Sequence, residues 1–97
     1  MNPCMYILKC ADGSYYTGST IDIQKRLVQH ESGEGANYTR KYLPVKLVYL
    51  EQFTSIKDAF RREKQIQSWS RKKKEALIAG NAHLLPELAR SKVTNVR

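Results

Sequence analysis

The sequence predicts a small α+β domain, and three observations support this fold class. Two short segments rich in aliphatic, aromatic or β-branched residues, 4–10 and 15–20, flank an Asp-Gly turn signal, as in a β-hairpin. A third, alternating segment follows at 45–51, and helical segments lie before and after it. The order β-β-α-β-α-α predicts a three-stranded antiparallel sheet, a hairpin plus a third strand, flanked by helices.

The turn of the hairpin decides which residues of its strands share a face. A three-residue loop at 12–14 with a left-handed glycine would pair Tyr6 with Thr20 and place Tyr6 and Tyr16 on one face. A two-residue turn would put the tyrosines on opposite faces. Taken alone, both are ordinary strand residues, because tyrosine has a high β-propensity. Gly18 in the second strand indicates close approach of a backbone or ligand.

The first helix is expected over residues 23–32, with Asp22 as its N-cap. Arg26 and His30 are four residues apart and therefore share one face, at the boundary of the core. Such a pair can bind a phosphate, or it can be two solvated side chains of a surface helix. The glycine-rich, then basic and aromatic segment 32–44 is expected to be a long loop.

The next helix is expected over residues 55–70, capped by Thr54 or Ser55. Its apolar stripe predicts a buried face with the members Ile56, Ala59, Phe60 and Ile66. Glu63 falls on the same stripe. Carboxylates are rarely buried unless they are paired or bind a metal, so Glu63 is a candidate ligand or catalytic group. The alternatives are a structural partner such as Arg26, or an exposed helix edge.

A further helix is expected over residues 71–80, capped by Ser70. The predicted domain therefore covers 1–80. Residues 81–97 are interpreted as a C-terminal extension that is partly frayed, with a short helical turn near 84–88.

The chain is basic, with 17 Lys and Arg against 9 Asp and Glu and a net charge of +8. Many of these cations cluster on either side of Trp69: Lys57, Arg61, Arg62, Lys64, Arg71, Lys72, Lys73 and Lys74. Cations that neutralise phosphates release condensed counterions, so the cluster favours a nucleic-acid partner over a solvated basic surface or a membrane surface. Trp69 continues the stripe from Ile66 and is expected to be a core anchor.

The two cysteines, Cys4 and Cys10, would lie roughly 20 Å apart on one strand, too far for a disulfide. They are expected to be buried thiols. The sequence has neither a signal-peptide pattern nor a run of about 20 apolar residues, which predicts a cytoplasmic protein without a membrane partner.

Together these residues resemble the GIY-YIG nuclease superfamily, in particular its small single-domain bacterial members, over roughly residues 3–78. Met-Tyr-Ile at 5–7 is similar to the first signature tripeptide, and Tyr-Thr-Gly at 16–18 is similar to the second. The family's helix arginine, following histidine and metal-binding glutamate fall on Arg26, His30 and Glu63.

Two departures from the family pattern are present. The first glycine of the first tripeptide is absent. Nuclease members also carry an asparagine downstream of the glutamate, and residues 71–78 contain none; Asn81 is the nearest.

The resemblance implies a DNA endonuclease of repair or recombination, with the catalytic residues Tyr6, Tyr16, Arg26, His30 and Glu63. Glu63 would hold Mg²⁺ or Mn²⁺. Tyr6 would act as a general base, made more acidic by Arg26 or the metal. Contacts with the substrate are expected from the loop residues Tyr38, Thr39 and Arg40. Without a further domain to read bases, selectivity for DNA structure is expected. The rival interpretations are a nucleic-acid-binding domain without turnover and a module that recruits another nuclease.

Overall fold

The computed structural model describes residues 2–80 and has the predicted α+β architecture. Its strands are β1 (Cys4–Lys9), β2 (Tyr15–Thr20) and β3 (Lys46–Gln52). Its helices are α1 (Ile23–Glu31), α2 (Asn37–Lys41), α3 (Ile56–Gln67) and α4 (Arg71–Ile78). The order β-β-α-β-α-α is confirmed, with α2 as an addition.

Helix α2 corrects the expectation of a continuous loop over residues 32–44. A helix of five residues is too short to be stable by itself, so its stability depends on tertiary contacts. The structure shows two such contacts: Thr39 is completely buried, and the ring of Tyr38 stacks on another ring. No periodic pattern could have predicted such an element.

The sheet is antiparallel with the order β2-β1-β3, so β1 is central and β2 is an edge. Tyr6 lies opposite Gly18 and Leu8 opposite Tyr16. The expected pairing of Tyr6 with Thr20 is therefore wrong by two residues. Because side chains alternate along a strand, a shift of two keeps Tyr6 and Tyr16 on one face.

The hairpin loop explains this shift. The Cys10 amide donates to the Ser14 carbonyl at 2.8 Å, and the Gly13 amide donates to the Cys10 carbonyl at 2.9 Å. The loop therefore covers residues 11–13 rather than 12–14. Gly13 has φ +87°, the left-handed conformation that was expected of it. The loop has an odd number of residues, as the common face of the two tyrosines requires.

Helix α1 packs on the face of the sheet that carries Tyr6. The buried cluster of this face consists of Cys4, Tyr6, Leu8, Cys10 and Val45. Ile23 and Leu27 of α1 pack against it, and the Asp22 side chain caps the helix by accepting from the Lys25 amide at 3.1 Å. Cys4 and Cys10 are free and buried, as expected.

Helix α3 packs on the opposite face of the sheet, against β2 and β1. Its buried residues are Ala59, Glu63 and Ile66. The predicted stripe is wrong at Ile56 and Phe60, which are 42% and 50% exposed. Phe60 lies about 100° around the helix from Ala59, so a face centred on Ala59 leaves Phe60 at its margin.

By its internal contacts the chain divides into two compact units, Met1–Gln67 and Ser68–Arg97. In the second unit, Ser70 caps α4 by accepting from the Lys73 amide, as predicted, and Lys73 Nζ lies 4.1 Å from the centre of the Trp69 ring. The predicted boundary at residue 80 stays a prediction. The expected helical turn at 84–88 lies outside the described residues. None of the described helices has the length and apolarity that a membrane span requires.

Candidate active site

The hydroxyl of Tyr6 is the centre of a buried polar cluster on the α1 face. Its oxygen lies 3.0 Å from His30 Nε2, and Arg26 Nε donates to it at 3.4 Å. The whole Tyr6 side chain is buried, because β1 is the central strand. Arg26 and His30 share one face of α1, as their spacing predicted, and both contact the phenol.

Gly18 gives this hydroxyl its space. A Cβ on Gly18 would lie 2.6 Å from the Tyr6 oxygen and 3.1 Å from the Tyr16 ring. The glycine is therefore required by close approach of the Tyr6 side chain, and not of the backbone or ligand that its position in a strand had indicated.

His30 is completely buried, so it is neither solvated nor at the boundary of the core. Its Nδ1 lies 2.8 Å from Thr39 Oγ1, and the hydroxyl of Thr39 donates to the Ala36 carbonyl at 3.0 Å. Thr39 was expected to contact substrate, but its completely buried side chain faces His30 instead. The sequence pattern did not predict this role, because nothing in it indicated α2.

Burial controls the protonation of this cluster. It raises the pKa of Tyr6 to about 12, although the hydrogen bond from Arg26 acts in the opposite direction. Burial, together with the charge of Arg26, lowers the pKa of His30 to about 4. The hydrogen bond to Tyr6 raises the pKa of Arg26. At neutral pH the cluster therefore holds a phenol, a neutral imidazole and a guanidinium.

Aromatic rings extend from this cluster to the surface. Tyr16 lies edge-on to His30 with 5.4 Å between the ring centres. Tyr38 stacks on Tyr16 at 6.4 Å with an interplanar angle of 28°, and its side chain is 43% exposed. Tyr42 in turn lies 5.0 Å from Tyr38. These rings give the site an aromatic wall, in which Tyr38 is exposed and Tyr16 and Tyr42 are partly exposed.

Glu63 approaches the cluster from the other face of the sheet. It is 9% exposed, and its two oxygens accept from Ser19 Oγ at 2.6 Å and from Gln67 Nε2 at 2.7 Å. Its structural partners are thus on β2 and α3, and Arg26 is not one of them. The negative charge of Glu63 contributes to the raised pKa of Tyr6, so the two groups interact across the edge strand.

The other predicted nucleic-acid contacts are cations that differ in their exposure and in whether they form ion pairs within the protein. Arg62 Nε forms an ion pair with Glu51 at 2.9 Å and is half-buried. Arg61 lies 3.3 Å from Asp58, and Lys64 lies 4.9 Å from the Phe60 ring. Lys57, Arg40 and Arg71 are exposed. Arg40 donates a hydrogen bond to the Asn37 side chain at 2.9 Å, and Arg71 forms an ion pair with Glu75 at 3.0 Å. Lys72 is exposed, and Lys73 and Lys74 are partly buried.

A shallow cavity of about 530 Å³ lies apart from the cluster, lined by Phe53, Asp58, Arg61, Arg62 and Gln65. It contains none of the five candidate catalytic residues. The candidate catalytic residues therefore lie outside this cavity.

A family model described as the GIY-YIG catalytic domain matches residues 2–76, which is most of the chain. The chain belongs to the GIY-YIG family. The resemblance inferred from the signature residues is thus confirmed, and the family is one of nucleases. The match continues across the division between the two compact units at residue 67.

This GIY-YIG protein is also similar to small proteins named UPF0213. It is 51% identical over 77 residues to one from Bacillus pumilus, covering 79% of each chain. It is 49% identical over 74 residues to one from Halobacterium salinarum, covering 76% of this chain and 96% of that protein. The solution NMR structure of a UPF0213 protein from Bacillus halodurans is similar with a TM-score of 0.54 and 40% identity, covering 97% of this chain and all of that one.

The donor set of Glu63 fits the divalent metal that the family implies. Across residues 2–80, no three His, Cys, Asp or Glu side chains are grouped to hold a metal ion. Mg²⁺ does not need such a cage, because it keeps several waters and commonly binds one or two carboxylates with substrate phosphates. Each Glu63 oxygen accepts one described hydrogen bond and retains a further lone pair, and Lys64 Nζ lies 3.9 Å from Oε2 as an exposed ion-pair partner that a bound metal ion would have to displace. Glu63 can therefore be a single protein ligand.

Proposed function

We propose that this protein is a metal-dependent endonuclease that hydrolyses DNA phosphodiester bonds, selects DNA structure rather than base sequence, and acts in repair or recombination. One observation carries the proposal: the buried Tyr6 hydroxyl lies between a neutral imidazole and a guanidinium. A phenol in ordinary strand packing needs neither neighbour. A phenol that moves a proton beside a phosphate uses both.

Arg26 binds the phosphate in this proposal. Its Nε donates to Tyr6 and its Nη1 donates to Gln29 Oε1 at 3.1 Å, which fixes the plane of the guanidinium. A fixed guanidinium presents its remaining N–H donors in a planar fork that matches two phosphate oxygens. The same contact to Tyr6 aligns the attacking oxygen with the bound phosphorus.

Tyr6 and His30 activate the attacking water. With a pKa of about 12, only about one Tyr6 in 10⁵ is a phenolate at pH 7. A relay removes this difficulty: the water gives a proton to the Tyr6 oxygen while Tyr6 gives its own proton to His30 Nε2. The water oxygen bonds to phosphorus as the bond to the leaving oxygen breaks. The leaving oxygen takes a proton from solvent, and His30 later returns one.

Glu63 would complete the site by holding Mg²⁺ or Mn²⁺. When bound, the metal supplies positive charge that stabilises the phosphate and the leaving oxygen. Ser19 and Gln67 orient the carboxylate by donating one hydrogen bond to each of its oxygens. This support keeps the Glu63 side chain in one rotamer at the edge of β2.

In this proposal, selectivity for DNA structure rests on the surroundings of the site. The exposed face of Tyr38 offers a stacking surface for an unpaired base, and such stacking tolerates any base. The cations of α3, Lys57 and Lys64 among them, would bind the phosphate backbone without reading sequence. A flap places unpaired bases next to duplex phosphates, and a nick or a junction interrupts the stacking of paired bases.

The test is nicking of plasmid and branched DNA with Mg²⁺ or Mn²⁺ by the purified wild-type protein, Arg26→Ala and Glu63→Ala. We expect metal-dependent cleavage by the wild type and a loss of at least 100-fold in each variant. Equal behaviour of all three proteins on every substrate would contradict the proposal. Metal-independent binding with a steep salt dependence and no cleavage would instead establish a binding domain, which the absence of an asparagine in residues 71–78 favours.

A further inference from the structure

Thr39 makes two hydrogen bonds that together determine where the proton of His30 lies. Its Oγ1 is 2.8 Å from His30 Nδ1 and 3.0 Å from the Ala36 carbonyl oxygen. The side chains of Thr39 and His30 are both completely buried. Bulk water therefore does not compete for either contact, and the hydrogens are distributed among these few atoms.

The distribution follows from the number of hydrogens on each group. A carbonyl oxygen can only accept, so the single hydroxyl hydrogen of Thr39 goes to Ala36. The Thr39 oxygen must then accept from His30, which places the imidazole hydrogen on Nδ1. A neutral imidazole carries one such hydrogen, so Nε2 has a free lone pair directed at the Tyr6 hydroxyl.

The opposite arrangement leaves a hydrogen without an acceptor. If His30 carried its hydrogen on Nε2, the Tyr6 oxygen would accept from both His30 and Arg26. The hydroxyl hydrogen of Tyr6 would then have no acceptor among the described hydrogen bonds of this completely buried side chain. Leaving a buried donor unsatisfied is costly, so the first arrangement is preferred.

Gly35 holds the imidazole against Thr39. A Cβ on Gly35 would overlap Nδ1 of His30, so the backbone at this position covers the ring edge that carries the hydrogen. The ring cannot swing away from Thr39 on that side. Thr39 and Gly35, both in the segment between α1 and β3, thus form one support for His30.

We propose that Thr39 is a positioning residue that fixes His30 as the tautomer with hydrogen on Nδ1, so that Nε2 accepts the proton of Tyr6. The order of hydrogen bonds is then Arg26 to Tyr6, Tyr6 to His30, His30 to Thr39, and Thr39 to the Ala36 carbonyl. The catalytic meaning of this chain rests on the proposed nuclease function. The tautomer itself does not.

The first experiment observes the tautomer by ¹H–¹⁵N NMR of the imidazole nitrogens in full-length protein at pH 7. The sequence contains two histidines, so a His83→Gln background leaves His30 as the single signal. We expect a protonated Nδ1 and an unprotonated Nε2. In Thr39→Val, which has the same shape but no acceptor, we expect protonation to move towards Nε2. Thr39→Ser restores the original pattern.

Two NMR outcomes would overturn the proposal: a protonated Nε2 in the background protein, or an unchanged tautomer in a folded Thr39→Val. Because the first outcome needs no variant at Thr39, a failure of Thr39→Val to fold leaves the test intact.

The second experiment measures cleavage by the same variants. We expect Thr39→Val to lower kcat by about 10- to 100-fold with KM unchanged, and Thr39→Ser to recover most of the rate. A Thr39→Val variant with the altered tautomer and the wild-type kcat would overturn the positioning role. If the wild type cleaves nothing while its Nδ1 is protonated, the nuclease function fails and the assignment of the tautomer to Thr39 stands.

Discussion

The hydroxyl of Tyr6 occupies the position that a side chain of Gly18 would fill, since a Cβ there would lie 2.6 Å from the Tyr6 oxygen. The two residues face each other in the pairing of β1 and β2. The second signature tripeptide thus ends in glycine to leave room for the tyrosine of the first. The relation makes the two tripeptides one structural unit.

Gly18→Ala should therefore displace Tyr6 from Arg26 and His30. We expect a loss of at least tenfold in cleavage and about 1–3 kcal/mol in the free energy of unfolding, because the buried ring has no space into which to move. Cleavage assays and urea unfolding would measure both effects. Wild-type activity in Gly18→Ala would show that the precise place of the hydroxyl is unimportant.

Thr17→Val is expected to stabilise the protein by about 1 kcal/mol. Thr17 is buried in β2, and its Oγ1 has no hydrogen-bond partner in the described part of the chain. Valine has nearly the same shape and removes an unsatisfied group. Urea unfolding would measure the free energy of unfolding of Thr17→Val. Thr39→Val is the matched control, because the same substitution there removes a hydroxyl that has two hydrogen-bond partners. Destabilisation by Thr17→Val would contradict the prediction.

Glu63→Gln should raise the metal concentration needed for half-maximal cleavage by at least tenfold. The amide keeps the shape of the side chain but lacks the charge that a hard cation prefers. Titration of cleavage with Mn²⁺ measures the shift. The matched control is Glu31→Gln, an exposed carboxylate at the end of α1, which should leave the titration unchanged. An equal response of the two variants would argue against Glu63 as a ligand.

The contribution of His30 to stability should depend on pH. Its pKa in the folded protein, about 4, lies below the ordinary value of 6.5. The neutral imidazole therefore supports the fold fully above about pH 6.5, and this support is lost as the pH falls towards 4, by up to about 3 kcal/mol. The groups that face the ring are Tyr6, Tyr16, Arg26 and Thr39, of which Arg26 also opposes protonation.

Urea unfolding of wild type and His30→Gln between pH 4 and 7 tests this dependence, because all other titrating groups are common to both proteins. The difference in unfolding free energy should shrink with falling pH. Parallel pH profiles would contradict the prediction, because they would mean that His30 has the same pKa in the folded and the unfolded protein.

The salt dependence of metal-free DNA binding should differ between a variant of an exposed cation and a variant of a cation that is paired within the protein. Lys57 is exposed, whereas Arg62 is paired with Glu51. If Lys57 contacts one phosphate, Lys57→Gln lowers the slope of log affinity against log salt by about 0.9. Arg62→Gln should change the slope less and lower stability, because Glu51 loses its cationic partner and keeps only the hydrogen bond from the Tyr49 hydroxyl. Fluorescence anisotropy over a salt series measures the slopes, and equal slopes for both variants would contradict this division.

Local signals in the sequence were sufficient for most of the fold. Asp22 caps α1 as its position predicted, and the Asp-Gly signal gave a hairpin. Which three residues form the loop could not be predicted from the sequence. The prediction that Tyr6 and Tyr16 share a face was nevertheless correct, because an even shift in register preserves the face. The buried place of Glu63 was also predictable from its helical spacing.

The rest depended on contacts between distant segments. Helix α2 has five residues and no periodicity, so the role of Thr39 was invisible in the sequence. The exposure of Phe60 depends on the rotation of α3 about its axis, which the contact of Ala59 with the sheet determines. A hydrophobic pattern predicts a face approximately and does not fix this angle.

The two buried thiols have a practical consequence. Cys4 is 1% exposed and Cys10 is 4% exposed, and burial raises the pKa of both. The reactive species of cysteine is the thiolate, so the native protein should resist alkylating reagents. Since both thiols lie on the central strand or directly after it, labelling becomes fast only when the sheet opens. The rate of alkylation would therefore time the opening of the domain without any introduced probe.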